Sequence, residues 1–205
     1  RSVPELRRSC SMIRENILSA CSVVLVAAAL VAPATVCAQV EEPEGLTETN
    51  ERIDELSAQL EQNPGDIELL IDLGNTYYES NMYDLALATY EHAVEIDSTH
   101  VGVRLNLGSL LADMGEFDRS IAQLKRAMEM DPDNVMVAAT LGSAYYGYRQ
   151  YNQAVDMYRR ALEIDPNNVE AHFNLGVAFA DVQMFDEAIV EWEKVIEIDP
   201  DSRAA

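Results

Sequence analysis

The stretch from Leu73 to Asp97, LGNTYYESNMYDLALATYEHAVEID, decides the fold, because its pattern returns three times without insertion or deletion. Gly74, Gly108, Gly142 and Gly176 each follow a leucine (Leu73, Leu107, Leu141, Leu175) and are evenly spaced along the chain. Pro132, Pro166 and Pro200 keep the same interval, each preceded by an aspartate (Asp131, Asp165, Asp199). A fixed period of this length marks a solenoid built from one repeated supersecondary unit.

Cutting the chain at this interval gives four units, 67–100, 101–134, 135–168 and 169–202. Each has room for two helices of about a dozen residues, joined near Asn81, Gly115, Gln150 and Gln183. In the first helix of each unit, Tyr77, Leu111, Tyr145 or Phe179 lies three residues after the glycine, so both share one seam. In the second, Ala86, Ser120, Ala154 and Ala188 permit close approach, and Tyr90, Leu124, Tyr158 and Trp192 supply bulk. Ala93, Ala127, Ala161 and Val195 follow three residues on, and each unit closes where proline would start the next turn. Ser98 replaces the first of these prolines.

This column of Leu-Gly, Tyr, Ala, aromatic and Pro resembles the tetratricopeptide repeat, a 34-residue helix–turn–helix. The resemblance covers Ile67 to Ser202 and implies an all-α, right-handed α–α superhelix. It further implies that the first helices line a concave groove that binds a peptide or a partner protein. Ahead of the repeats, Ile53, Leu56 and Leu60 recur at helical spacing, and Asn63-Pro64-Gly65-Asp66 ends that helix. Residues 50–66 therefore read as a half-repeat cap, as terminal units of solenoids commonly are. Residues 39–49 (QVEEPEGLTET) read as an acidic tether.

The segment 1–38 is of another kind. Arg7, Arg8 and Arg14 precede an apolar run from Ile17 to Val36, and Val36-Cys37-Ala38 places small residues at its exit. That order predicts a signal peptide cut after Ala38. The run also approaches the roughly 20 residues of a membrane span, so an uncleaved anchor stays open. In either case the chain is expected to be exported, to a bacterial periplasm or cell envelope, with any membrane attachment confined to this segment. All three cysteines (Cys10, Cys21, Cys37) lie here, so the remainder is read as free of disulfide and thiol chemistry.

The net charge of −22 deepens beyond Ala38, where 34 acids face 10 bases. Such a field repels nucleic-acid phosphates and draws basic partners, so no nucleic-acid partner is expected. No phosphate-cradling glycine loop occurs. His92, His100 and His172 lack ligand spacing, and His92, beside a core alanine, is expected to point outward. No nucleophile, base and orienter come together. The chain therefore reads as a non-enzyme without cofactor or metal.

What remains is the groove. The family resemblance assigns it to first-helix residues outside the seam: Glu68, Asp72, Asn75 and Glu79; Asn106, Ser109 and Asp113; Met136, Thr140, Ser143 and Tyr146; Glu170, Phe173, Asn174 and Asp181. One subclass of the family grips the carboxylate end of heat-shock chaperones with asparagines and basic residues. Asn75 and Asn106 match its asparagines, but Ile71, Met136 and Thr140 stand where its cations belong, and without cations a carboxylate is poorly held. The acids predict instead an extended segment carrying Lys or Arg around an apolar anchor, met by Met136, Tyr146 and Phe173. Asn106 and Asn174 are expected to bond its backbone. The last helix, with Ile189, Trp192 and Ile196, is expected to keep an apolar strip exposed, which predicts a homodimer through it. The reading is an exported scaffold for envelope-complex assembly; the alternative is a pilot-type or holding chaperone for secreted or outer-membrane proteins.

Overall fold

The structure, a computed structural model, describes residues 44–200, with side chains from Glu48 onward. The export segment read at residues 1–38 and the start of the tether lie outside the described residues, as do residues 201–205. Every element among the described residues is a helix. They are α1 (Glu44–Gln62), α2 (Ile67–Glu79), α3 (Tyr83–Ile96), α4 (Val101–Asp113), α5 (Phe117–Met130), α6 (Val135–Gly147), α7 (Tyr151–Ile164), α8 (Val169–Asp181) and α9 (Phe185–Ile198).

Helix α1 belongs to a unit of its own that ends at Pro64. Leu56 and Leu60 are its buried residues, and Arg52 pairs with Glu55 at 3.2 Å on its exposed side. It starts at Glu44, ahead of the expected Asn50, and so takes in the end of the stretch read as a tether. The sequence Pro43-Glu44 suits a helix start, because proline needs no amide partner there and an acid complements the helix dipole.

The second unit runs from Gly65 and holds α2 to α9 as four helix pairs. Within it each first helix packs on its own second helix, each second helix on the next first helix, and α4 on α6 and α6 on α8. Local chemistry sets the boundaries. Each first helix is capped by a side chain at the same place in its repeat: Asp66 accepts from the Leu69 amide at 3.2 Å, His100 Nδ1 from Val103 at 3.1 Å, Asn134 from Val137 at 3.1 Å and Asn168 from Ala171 at 2.9 Å. A side-chain acceptor at this position satisfies an amide the helix leaves unpaired.

The second helices have no such side-chain cap. The chain enters them through one left-handed residue per pair: Asn81 (φ 58°), Gly115 (φ 78°), Arg149 (φ 61°) and Gln183 (φ 65°). After each, an amide reaches back five residues, as Met82 does to the Tyr77 carbonyl and Gln150 to Tyr145, both at 2.8 Å. This is the hydrogen bond of a Schellman C-terminus. The third turn is thus centred on Arg149 rather than Gln150, which caps the following helix.

Packing follows the repeated column. A β-carbon at Gly108 would lie 2.6 Å from Leu124 Cγ, and one at Gly142 2.7 Å from Tyr158 Cε1; Gly74 and Gly176 meet Tyr90 and Trp192 in the same way. Ala86, Ala154 and Ala188 are buried, as is Ser120, whose hydroxyl donates to the Gly108 carbonyl at 2.6 Å. That bond lets serine stand in for alanine at no cost in unsatisfied polarity. His92 departs from its expected outward position, since it is half-buried with Nδ1 shielded from water and 3.7 Å from Glu95.

Two polar side chains are buried at one register of the first helices. Arg104 donates through Nε and Nη2 to the Ser98 carbonyl, at 2.9 and 2.6 Å, and through Nη1 to Gln123 at 2.6 Å. His172, two repeats on, places Nε2 3.1 Å from the Pro166 carbonyl and Nδ1 2.7 Å from Glu191. Each ties the boundary loop before its helix to the second helix of its own pair. Burial holds the Arg104 guanidinium below its ordinary pKa, which is tolerable because its charge is shared among three bonds.

Candidate functional site

Because α4, α6 and α8 lie side by side, their outer residues form parallel stripes, and two hydrogen bonds join α2 to α4 in the same manner. Residues four, seven and eleven positions apart lie on one side of a helix. On α2 these are Glu68, Asp72, Asn75 and Glu79; the same registers hold Asn106, Ser109 and Asp113 on α4, Met136, Thr140 and Ser143 on α6, and Glu170, Asn174 and Asp181 on α8. All of them, with Tyr146 and Phe173 beside the stripe, are exposed or half-buried, as residues outside a seam should be.

The structure brings several of them together. Asn106 Nδ2 donates to Asn75 Oδ1 at 3.1 Å, and the Tyr90 hydroxyl donates to the same oxygen at 2.6 Å. Ser143 lies 3.1 Å from the Tyr158 hydroxyl. The Tyr78 hydroxyl donates to Asp113 and the Tyr146 hydroxyl to Asp181, both at 2.5 Å. Each of these Tyr–Asp bonds crosses from one helix pair to the next. Hydrogen bonding to the aspartate, then burial, pushes Tyr78 and Tyr146 up to about 12. Burial is the main cause that raises Tyr90 and Tyr158.

Other members stay apart. Met136, 67% exposed, and Tyr146 stand at opposite ends of α6, about 15 Å apart at a helical rise of about 1.5 Å per residue. They cannot form one apolar patch with each other. Glu68, Met136 and Glu170 mark the N-terminal end of the stripes, and Glu79, Asp113 and Asp181 the C-terminal end, so acid stands at both ends. Glu68 has a histidine neighbour, His100 Nε2 at 3.7 Å.

The distribution of bases is the clearest electrostatic feature. Of the first helices α2, α4, α6 and α8, only α4 has a lysine or arginine, and that one, Arg104, is buried against Ser98. Arg119, Lys125, Arg126, Arg159, Arg160 and Lys194 all lie on second helices. The stripes therefore carry six acids, Glu68, Asp72, Glu79, Asp113, Glu170 and Asp181, and no cation.

Two features escape a reading by the single-repeat column. Tyr90 and Tyr158 are core residues by burial, yet their hydroxyls bond stripe residues, Asn75 and Ser143. Tyr78 and Tyr146 bridge successive pairs. Both sets recur at every second repeat, as do Asp113 and Asp181, Asn106 and Asn174, Tyr83 and Tyr151, and Phe117 and Phe185. A two-repeat period in the polar and aromatic residues was the available signal, because a buried tyrosine needs a partner for its hydroxyl.

Comparison with known proteins agrees with this architecture. Family models described as tetratricopeptide repeat match residues 79–144 and 169–202, and one described as TPR repeat matches 149–183. Together they take in more than half of the chain, which is a tetratricopeptide repeat protein. No curated protein sequence matches it. Among solved structures, a crystal structure of MamA superposes with a TM-score of 0.69 at 23% identity, over 76% of this chain and 91% of that one. A MamA fragment from Desulfovibrio magneticus RS-1 gives 0.69 at 19% identity, over 76% and 88%. YrrB, described as a TPR protein with an unusual peptide-binding site, gives 0.65 at 21% identity, over 78% and 82%. These likenesses are of fold.

Proposed function

We propose that the chain is an exported scaffold that holds an extended, basic segment of a partner protein along the stripes of its first helices. The observation that carries this reading is the segregation of charge: six acids and no cation on the stripes, with Arg104 buried, Arg149 in the turn after α6 and six other bases on the second helices. Acids at both ends of the stripes suit a segment with Lys or Arg on either side of an apolar anchor. Tyr146 on α6 and Phe173 on α8, both half-buried, are aromatic residues beside the stripes that such an anchor could meet. Asn106 and Asn174 supply amides for the ligand's backbone, as extended peptides require. The peptide site that describes YrrB supports the same use of the fold. Titrating labelled basic and acidic peptides with one apolar residue, at two salt concentrations, tests the reading. The basic peptide should bind and should weaken with salt; equal affinity for both, indifferent to salt, overturns it.

Export rests on Arg7, Arg8, Arg14, the apolar run 17–36 and the small residues before Gln39. Its test is the N-terminal sequence of the protein produced in a bacterium. A mature chain that begins at Gln39 supports export by cleavage, and an uncleaved chain recovered in the cytosol refutes it.

A further inference from the structure

The outer face of α9 differs from those of the other second helices. Phe185, Ile189, Val190 and Ile196 are 60, 52, 53 and 52% exposed, whereas Ile121 and Val155, in the register of Ile189, are 8 and 7% exposed. Helices α6 and α8 pack on α5 and α7. Trp192 does not join this strip as expected, being half-buried over Gly176 with its Nε1 donating to the Phe173 carbonyl at 3.3 Å.

The molecule itself shows what kind of helix fits such a face. Glu193 shares its register with Glu91, Lys125 and Arg159, each one repeat from the next. On α5 and α7 this register reaches into the following repeat with a cation over an aromatic ring: Lys125 Nζ is 5.6 Å from the Tyr145 ring and Arg159 5.3 Å from the Phe179 ring. On α3 it is acidic, and the following repeat answers Glu91 with Arg119, whose Nη2 donates to it at 2.6 Å. An acid in this register thus calls for arginine from the covering unit. Glu193 is exposed, flanked by exposed Asp186 and Glu187, and Lys194 is engaged by Glu197 at 2.6 Å.

A second copy stacked in the repeat's own register does not meet this need. It would bring Leu85 to the place of Arg119 and Tyr77 to the place of Tyr145, since each lies one or two repeats earlier. Glu193 would then find no cation, and its carboxylate would approach the negative face of an aromatic ring. Two α9 faces pressed together would set acid against acid.

We propose that α9 docks an amphipathic helix of a partner protein, with an apolar stripe over Phe185, Ile189, Val190 and Ile196 and an arginine or lysine on Glu193. This site is separate from the first-helix stripes. The test uses the full chain and two synthetic helices with the same leucine stripe, one flanked by arginines and one by glutamates. Fluorescence anisotropy reads their binding. The arginine helix should bind at least tenfold more tightly, Ile189→Asp should cost at least tenfold, and Glu193→Lys should narrow the preference where the same change at Glu129 on α5 does not. Asp113→Asn with Asp181→Asn should leave this binding unchanged. Circular dichroism checks that Ile189→Asp stays folded, as its half-exposed position predicts. Absence of binding, equal binding of the two helices, or indifference to Ile189→Asp overturns the proposal. So does a concentration-dependent dimer in sedimentation that Ile189→Asp dissociates, which would assign the face to a second copy.

Discussion

Replacing Gly142 by alanine tests the packing logic of the whole repeat array. The added β-carbon would sit 2.7 Å from Tyr158 Cε1, about 0.8 Å inside an ordinary carbon–carbon contact. Tyr158 cannot swing away freely, because the ring is 2% exposed and its hydroxyl is tied to Ser143. Overpacking of this kind costs about 1–3 kcal/mol, and a rigid buried ring belongs near the upper end. Alanine returns about 1 kcal/mol as the better helix former. The net expectation is a loss of about 2 kcal/mol. Urea unfolding followed by far-ultraviolet circular dichroism and by the fluorescence of Trp192, the single tryptophan, measures it; coincident curves license the two-state treatment. The same substitution in a Tyr158→Ala background should become neutral or stabilising, since the clash is gone while the propensity gain remains. Gly65→Ala, where nothing lies within 4 Å, serves as the control. An equal cost of Gly142→Ala in both backgrounds would refute the reasoning.

Three further outcomes follow from the same structure. Gln183→Gly should raise stability by about 0.5–1 kcal/mol in thermal unfolding, because a side chain at φ 65° is strained and glycine is not, less the entropy glycine loses on folding. Arg104→Ala should cost about 2–3 kcal/mol by denaturant titration, since it leaves the Ser98 carbonyl and Gln123 without their charged donor. Tyr78 and Tyr146, held near 12 in the folded chain against an ordinary 10, favour folding while neutral. Their contribution is complete below pH 10 and is lost as pH rises from 10 to about 12; tyrosinate absorbance should show late ionisation, advanced for Tyr78 by Asp113→Asn.

The packing of the repeats is readable from the chain because it depends on residue size at a fixed interval. Gly74, Ala86 and Ala93 are small where helices close, and their counterparts are small for the same reason. The polar architecture is not readable that way. Asn106 bonds Asn75, and Tyr146 bonds Asp181, only because the pitch of the array sets neighbouring first helices side by side, which no single repeat encodes. A size-based reading places Tyr90 and Tyr158 in the core, where they are, but not the bonds of their hydroxyls to Asn75 and Ser143. Arg104 and His172 carry no signal in the column, because a buried cation or imidazole there depends on a loop carbonyl, at Ser98 or Pro166, coming within reach. The start of α1 at Glu44 is not legible in the sequence, because an acidic, glycine-containing stretch resembles a tether until its fit to a helix N-terminus is considered. The candidate stripe residues were legible as surface positions; their linkage into Tyr–Asp and Asn–Asn pairs was not.

The central claim, that a basic extended segment lies along the acidic stripes of the first helices, is tested most directly by a hydrogen-exchange footprint of a bound basic peptide. The account predicts added protection in α2, α4, α6 and α8, with none centred on α9, and loss of that footprint in the Asp113→Asn, Asp181→Asn double variant. A footprint confined to the second helices, or one unchanged in the double variant, would contradict it.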